Sequence, residues 1–473
     1  MRQAVLFSVL SGAAVAAPVL AATGSGPARP ALRPAAAQVA ERVRPALRPA
    51  AAQVAERVRP VPRPAAAQAA ERVRPAPRPA GAQAAESGPR VVEYRGLRVP
   101  VPAGWRVHRL DADPTRCVRY DRHAVYLGRP GPQPDCPARV VGRTEALHIE
   151  PAEGGRAART VVHAARLATL RIAPNAGHET RLTLPEAGVT ITGVYGTDPG
   201  RLQRILRGTG LSATWTAAPR GAARPSSPDV RRESPAERPL PDAAADRPWV
   251  RGKGFDTCTA PSLATMKAWR PSFKVTNIYI GGAARGCAQP NLTASWVRRV
   301  RAMGYRITPT YVGLQAPCGT RPQRFTSKNA AKQGAKAAVD AARKARGLGI
   351  PEGAPIYFDM EAYNSKKKAC KTAVLRFVDR WVERLTREGY VPCLYSSAKS
   401  GIRDVGWATG ISKPAGIWYA DWNGRASVYG DRYLPDRWWS PHRRIKQYRG
   451  GHKEKHGGVT LNIDSNIADG RVY

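Results

Sequence analysis

The sequence predicts an α/β fold, a (β/α)8 TIM-barrel-like domain, in its C-terminal half. Strand and helix signals alternate from residue 251 to residue 473, as a parallel sheet with crossover helices requires. The strand predicted at 355–361 has carboxylates on one side and apolar side chains on the other. This pattern is typical of a barrel strand with helices outside and a polar site inside. A small α+β domain and a disordered Pro/Ala/Arg repeat are predicted to precede the barrel.

The first segment, residues 1–22, has the composition of a secretory signal peptide, because residues 4–20 are apolar or small. Ser8, Ser11 and Pro18 interrupt this stretch, which disfavours the alternative of a transmembrane anchor. No later segment is long and apolar enough to span a membrane. We therefore expect a secreted, extracellular protein with no transmembrane segment after signal removal.

Residues 23–88 consist largely of a 15-residue repeat rich in proline, alanine and arginine. The sequence RPALRPAAAQVAERV begins at Arg29 and again at Arg44, and two diverging copies follow. The Arg-Pro part favours extended chain and the alanine-rich part a transient helix, and large apolar residues are too few for a core. We expect a disordered spacer through the cell envelope, or a segment that adheres to an anionic wall polymer.

Residues 89–216 have the signals of a small α+β domain of unknown function. Strands are predicted at 91–94, 97–101, 124–128 and 189–195, and a short helix at 199–207. Cys117 and Cys136 are the only cysteines in this region, so we expect them to form a disulfide in an oxidising compartment. A linker rich in proline, alanine, serine and arginine follows at 217–250.

The barrel is predicted from residues 251–473. Eight strands, all parallel, are expected at 252–258, 275–281, 306–312, 355–361, 391–396, 416–422, 444–448 and 459–464. Outer helices with an apolar stripe or a small-residue face are predicted at 291–303, 327–348 and 369–388. Of the five cysteines in this domain, four would form two bridges and one would stay unpaired.

Two carboxylates mark the strand at 355–361 as part of a site. Asp359 and Glu361 are two residues apart and therefore point to one face, whereas Phe358 and Met360 point to the other. Carboxylates at the end of a buried strand are costly unless they perform chemistry or bind a ligand. Because the active sites of such barrels lie at the C-terminal ends of the strands, other strand ends should contribute to the same rim.

The other strand ends are predicted to add polar and aromatic residues to this rim. The candidates for substrate binding are Asp256, Asp421, Asp464, Gln447, Tyr279, Tyr311, Tyr395 and Tyr419. Aromatic rings stack on sugar faces, and carboxylates can protonate a leaving oxygen or stabilise positive charge. Glycoside hydrolysis requires acids that flank an oxocarbenium-like transition state.

Six motifs in this region together resemble the actinobacterial DUF1906 family, a family of secreted glycoside hydrolase-like domains. The motifs are GFDTCTAPS (254–262), YIGG (279–282), PTYVG (309–313), YFDME (357–361), LYSS (394–397) and ADW (420–422). The resemblance covers residues 252–473. It implies a TIM barrel with an acidic rim similar to that of the family 25 muramidases.

The likeness to the family 25 muramidases, which also use a D-x-E strand, implies roles for the rim carboxylates. Glu361 would be the general acid, and Asp359 would orient or stabilise an intermediate formed with the substrate's own acetamido group. The subsite would be shaped by Asp256, Asp421 and Asp464. Cys393 stands where the family pattern has a small residue, which implies that it is the unpaired thiol.

The formal net charge of +41 indicates an anionic partner, although a biased genomic composition also explains many arginines. We expect an envelope polysaccharide, such as peptidoglycan, and no nucleic acid, because no nucleic-acid motif accompanies the charge. No CxxC or HExxH motif is present, so neither a metal nor a cofactor is expected. We expect a monomeric glycosidase associated with the cell wall. The alternatives are a non-catalytic wall-binding module and an envelope scaffold.

Overall fold

The computed structural model describes residues 88–152, 160–213 and 247–473. The predicted signal peptide, the 15-residue repeats and most of the predicted linker lie outside the described residues. All described residues fall within one compact unit, Ala80–Tyr473. Among them, no helix combines the length and the apolar character that crossing a membrane requires.

Two sheets make up the small domain. Its strands are β1 (Arg90–Tyr94), β2 (Leu97–Val101), β3 (Arg106–Arg109), β4 (Ala124–Leu127), β5 (Ala146–Pro151), β6 (Thr160–Val161), β7 (Glu179–Leu184), β8 (Val189–Val194) and β9 (Gly210–Leu211). One sheet has the order β1-β2-β9 and the other the order β3-β4-β5-β8-β7-β6. A 3-10 helix (Ala164–Thr169) and helix α1 (Gly200–Arg207) complete the domain. The strands and the helix predicted from the sequence overlap β1, β2, β4, β8 and α1.

Eight strands close into a barrel in the C-terminal domain, which confirms the predicted α/β class. They are β10 (Trp249–Asp256), β11 (Val275–Gly281), β12 (Arg306–Tyr311), β13 (Pro355–Met360), β14 (Val391–Ser397), β15 (Gly416–Ala420), β16 (Arg444–His456) and β17 (Val459–Arg471). Each strand from β10 to β15 pairs in parallel with the next one.

The prediction that all eight strands are parallel is wrong for the last strand. β17 runs antiparallel to both of its neighbours, β16 and β10. Gly457 and Gly458, which alone separate β16 from β17, have φ angles of 53° and 81°. A two-residue loop of this kind joins antiparallel strands, whereas a parallel connection needs a crossover of about a dozen residues or more.

Five α-helices surround the barrel in the part of this domain that the structure describes. They are α2 (Leu263–Trp269), α3 (Ala294–Ala302), α4 (Ala330–Gly347), α5 (Lys368–Arg387) and α6 (Arg403–Trp407), the last preceded by a π-helical turn at Ala398–Ile402. The three predicted helices correspond to α3, α4 and α5. The described chain between β15 and β16 contains no helix, so the barrel departs from a full (β/α)8 pattern.

One disulfide lies within the small domain, and two join loops of the barrel domain. The predicted Cys117–Cys136 bridge is confirmed in the small domain. Cys258–Cys287 joins the segments that follow β10 and β11, and Cys318–Cys370 joins the segment after β12 to the start of α5. Cys393 is buried and unpaired, as the family resemblance implies. The bridges therefore fix loops at the same end of the barrel as the predicted site.

Candidate functional site

The two faces of β13 separate the site from the outer core, as predicted. Phe358 and Met360 are fully buried in the cluster between barrel and helices. The ring of Phe358 lies 4.8 Å from that of Phe377 and 5.0 Å from that of Trp381, measured between centroids. The side chain of Asp359 points the other way, into the barrel interior, and the residue is 1% exposed.

Asp256 and Asp464 form the centre of the acidic rim. They are directly paired residues of the antiparallel strands β10 and β17. Gln447 Nε2 lies between them and donates to Asp256 at 3.1 Å and to Asp464 Oδ2 at 3.0 Å. Burial raises the pKa of Asp256 to about 6. Burial, followed by the charge of Asp256, raises the pKa of Asp464 to about 8. At neutral pH the pair therefore retains at least one proton.

Aromatic side chains orient the amide of Gln447. Its Oε1 accepts hydrogen bonds from the Tyr395 hydroxyl at 3.0 Å and from Trp422 Nε1 at 2.9 Å. On the other side of Asp256, Asn466 Nδ2 donates to Oδ1 at 2.5 Å, and Trp418 Nε1 donates to Asn466 Oδ1 at 2.8 Å. Since each amide has both its oxygen and its nitrogen engaged, the network holds the two carboxyls in one arrangement.

Asp359 is deeply buried, and its backbone is fixed by a glutamine. Gln315 Nε2 donates to the carbonyl of Asp359 at 2.8 Å, and Gln315 Oε1 accepts from the backbone N–H of Glu361 at 2.7 Å. The Oδ1 atom of Asp359 is buried without a hydrogen-bond partner among the described residues. Burial, together with the neighbouring charge of Glu361, raises the pKa of Asp359 well above its usual range. A neutral carboxyl at this position avoids the cost of a buried, unpaired charge.

Glu361 lies just beyond the end of β13, between two arginines. Arg321 Nη2 is 3.0 Å from Glu361 Oε2. Arg139 belongs to the small domain, and its Nη1 atom is 3.5 Å from Glu361 Oε1. The same Nη1 donates to the Tyr395 hydroxyl at 2.6 Å, and the guanidinium lies 5.2 Å from the centroid of the Trp422 ring. The small domain therefore contributes a side chain to the barrel rim.

An open cavity of about 390 Å³ adjoins Glu361. Its polar and aromatic lining consists of Arg139, Glu361, Tyr395, Ser397, Lys399, Asp421, Trp422, Arg432 and Tyr433. Trp422 is 54% exposed, which is unusual for so large an apolar ring. We call this space the rim cavity. It is the part of the acidic rim that solvent reaches, whereas Asp256, Asp359 and Asp464 are at most 2% exposed.

Residues 267–468 match the sequence profile of the Rv2525c-like, glycoside hydrolase-like domain family, which is also called DUF1906. These residues form a domain of this family. The match confirms the predicted family for most of the C-terminal domain, including the whole of β13 and the rim cavity outside Arg139. No curated protein matches the chain.

Three solved structures resemble this glycoside hydrolase-like domain at low identity. An uncharacterized B. stearothermophilus protein is 22% identical, with 47% of this chain and 99% of that chain covered and a TM-score of 0.32. The Clostridium perfringens spore cortex lytic enzyme SleM is 15% identical, with 42% and 62% covered and a TM-score of 0.29. The catalytic domain of endolysin ply40 from bacteriophage P40 of Listeria monocytogenes is 13% identical, with 46% and 93% covered and a TM-score of 0.29.

The glycoside hydrolase-like domain brings most of the predicted site residues together, but not two of the tyrosines. Tyr311 points out of the barrel, where its hydroxyl donates to Asp340 Oδ2 at 2.8 Å. Tyr419 also faces outward, and its hydroxyl donates to the carbonyl of Val428 at 3.0 Å. Their placement at the rim is therefore a wrong prediction, and the reason is the alternation of side chains along β12 and β15.

Tyr279 does face the interior of the glycoside hydrolase-like domain. Burial, followed by the charges of Asp256 and Asp359, raises the pKa of its hydroxyl well above the usual range. Sequence reasoning missed the arginines, Trp422 and Asn466. The ADW motif pointed to Trp422, and the alternation along β17 places Asn466 on the same face as Asp464. Nothing in the sequence distinguishes Arg139 from the other basic residues.

Among the described residues, one cluster has the spacing of a possible metal site, and it is not free to bind an ion. One group of potential ligand atoms lies within 4.8 Å, contributed by Cys117, Cys136 and Cys287. All three sulfurs are in disulfides, so they are not available as thiolate ligands.

Proposed function

We propose that the glycoside hydrolase-like domain binds a cell-envelope glycan, such as peptidoglycan, in the rim cavity and hydrolyses its glycosidic bonds. One observation supports this proposal above the others: Glu361, Asp421 and Trp422 line a single open cavity. A glycan in this space would have an aromatic ring on which a sugar can stack, and carboxylates beside its glycosidic oxygens.

Glu361 is the proposed general acid, because it is the carboxyl of the D-x-E strand that borders the rim cavity. Asp359 is proposed to orient the reacting sugar or to stabilise an intermediate formed with the substrate's acetamido group. Its raised pKa is compatible with this role, since a neutral carboxyl can donate a hydrogen bond. Asp421 belongs to the binding surface in this proposal, and Asp256, Asp464 and Gln447 hold the rim in shape.

A second candidate function is glycan binding without turnover. Both oxygens of Glu361 face arginines, at 3.5 Å and 3.0 Å. These cations compete with a glycosidic oxygen for the carboxyl of Glu361. Asp359 is also covered from solvent. These contacts favour a wall-binding module if the arginines keep their positions when a glycan binds.

Reducing-end release from purified cell walls by the full chain separates the two functions. We expect release by the wild type and a loss of about 100-fold or more in Glu361→Gln, because general acid catalysis contributes at least that factor. Glu352→Gln is the matched control, since Glu352 is an exposed glutamate that precedes β13 at the other end of the strand. Salt-sensitive co-sedimentation with walls, without any reducing ends, would establish the binding function and contradict hydrolysis.

A further inference from the structure

A short segment of the small domain crosses the mouth of the barrel. Val141 packs against Tyr279 on the inner face of β11, and Arg139 contacts Tyr395 and Glu361. Ala138 lies beside Gly451, which in turn adjoins Asp464. We call residues 138–141 the crossing segment. It lies next to Asp464, which is buried although it stands at the end of the barrel where substrates bind.

Extensive contacts fix the crossing segment in place. Val141 forms an antiparallel bridge with Arg285, and the backbone N–H of Gly142 donates to the carbonyl of Ala284 at 2.8 Å. Arg143 is fully buried where the two domains meet, and its backbone N–H and C=O are both hydrogen-bonded to the side chain of Gln323, at 2.8 Å and 2.7 Å. Opening this contact would leave buried polar groups unpaired, which is costly. The segment is therefore a permanent part of the rim.

Arg139 is incompletely satisfied by the protein. A guanidinium has five N–H donors. Among the described residues, Arg139 makes one hydrogen bond, to Tyr395, and its ion pair with Glu361 is long at 3.5 Å. Its side chain is only 19% exposed, so most of its hydration is lost. An arginine in this state favours a bound anion that can accept its remaining hydrogen bonds.

Two further cations face the same rim cavity. Lys399 and Arg432 both line it. In the described part of the chain neither forms an ion pair within 4.0 Å, and the acidic residues of the lining are only Glu361 and Asp421. Trp422 is 54% exposed and has the guanidinium of Arg139 over its ring. A sugar that packs on the exposed part of this ring would lie beside Arg139, in a cavity that Lys399 and Arg432 also line.

We propose that the small domain completes the glycan site and that Arg139 binds the carboxylate of an acidic sugar in the rim cavity. Arg139 is then a specificity-determining residue, with Lys399 and Arg432 adding attraction. The inference rests on the proposed glycan site but not on turnover. It assigns a role to residues 89–216, because the barrel alone would lack the arginine that faces the stacked sugar.

Two disaccharides that differ in one lactyl group test this inference. N-acetylglucosaminyl-N-acetylmuramic acid carries a lactyl carboxylate, and N,N′-diacetylchitobiose is its neutral counterpart. Calorimetric titration of the full chain is expected to show tighter binding of the acidic disaccharide. Arg139→Gln should weaken that binding by about 10- to 100-fold, the usual effect of a hydrogen bond to a charged group, and change the binding of N,N′-diacetylchitobiose by less than about twofold. Added salt should weaken the binding of the acidic disaccharide only.

Three further variants separate a specific effect of Arg139 from a loss of folding. Arg139→Lys keeps the charge and should retain part of the preference, and Lys399→Gln, at an exposed position, should reduce it by about threefold. Arg166 is an exposed arginine of the small domain, so Arg166→Gln should leave the affinity for both disaccharides unchanged.

Equal affinity of the wild type for both disaccharides would overturn the inference. An equal loss of affinity for both disaccharides in Arg139→Gln would also overturn it. A rise in affinity in Arg139→Gln would mean that Arg139 blocks the site. If the wild type prefers the acidic disaccharide but releases no reducing ends from cell walls, this inference holds and the proposed hydrolysis is contradicted.

Discussion

Replacing Asp464 by asparagine should stabilise the protein near neutral pH. The folded state holds the proton of Asp464 up to a pKa of about 8, whereas the ordinary value is 3.8. Folding therefore takes up a proton, and the free energy of unfolding falls as pH rises from about 4 to about 8. A tenfold change in proton affinity corresponds to about 1.4 kcal/mol, so at pH 7 the wild type has lost about 4 kcal/mol from this group.

Asparagine resembles the protonated acid and cannot ionise. Its oxygen can accept from Gln447 Nε2, which is 3.0 Å from Asp464 Oδ2, and its amide can donate to Asp256. We expect Asp464→Asn to raise the free energy of unfolding at pH 7 by about 2–4 kcal/mol and to flatten its decline between pH 4 and pH 8. Part of the decline remains, because Asp256, whose pKa is raised to about 6, still loses its proton in this range.

Guanidinium unfolding, followed by tryptophan fluorescence at several pH values, measures this effect. Asp469→Asn is the control on the same strand. Burial opposes ionisation of Asp469, but hydrogen bonds from His442 and Arg251 lower the pKa of its carboxyl, so this substitution should destabilise the protein at pH 7. Two results would contradict a raised pKa of Asp464 in the folded state. One is a free energy of unfolding that keeps its wild-type pH dependence in Asp464→Asn, and the other is a variant less stable than the wild type at pH 7.

Three other variants, one of them with a control, test the fold and the site. Phe358→Ala should lower the free energy of unfolding by about 3–5 kcal/mol, because it removes the ring between β13 and α5, and guanidinium unfolding measures it. Replacing both Cys318 and Cys370 by serine opens a bridge across 52 residues and should cost about 3–4 kcal/mol in the same measurement. Tyr395→Phe should weaken glycan binding by about 5- to 10-fold, whereas Tyr311→Phe should leave it unchanged in calorimetric titration.

The barrel and its two faces follow from local patterns, which is why the sequence predicts them well. Alternation along 355–361 places Asp359 inside and Phe358 outside. The same rule, applied to β12 and β15, would have placed Tyr311 and Tyr419 outside, and the error came from assigning tyrosines by strand end alone. The direction of β17 also had a local signal in the Gly457-Gly458 turn. Asp464 reaches the rim, although from an antiparallel strand.

The part of the site that the sequence could not predict depends on contacts between distant segments. Arg139 meets Glu361 across more than two hundred residues, through the way the small domain packs on the loops after β11 and β12. The chain has 76 lysines and arginines, so charge alone does not single out one of them. The burial of Asp359 and the ion pairs of Glu361 are consequences of the same packing, and neither has a sequence signature.

A crystal structure of the full-length Glu361→Gln variant with a bound cell-wall tetrasaccharide tests the central claim most directly. We expect one sugar ring stacked on Trp422 and a glycosidic oxygen within hydrogen-bond distance of the side chain at position 361. The result that would contradict the account is a tetrasaccharide bound away from the rim cavity at saturating concentration, with Arg139 and Arg321 still closing position 361.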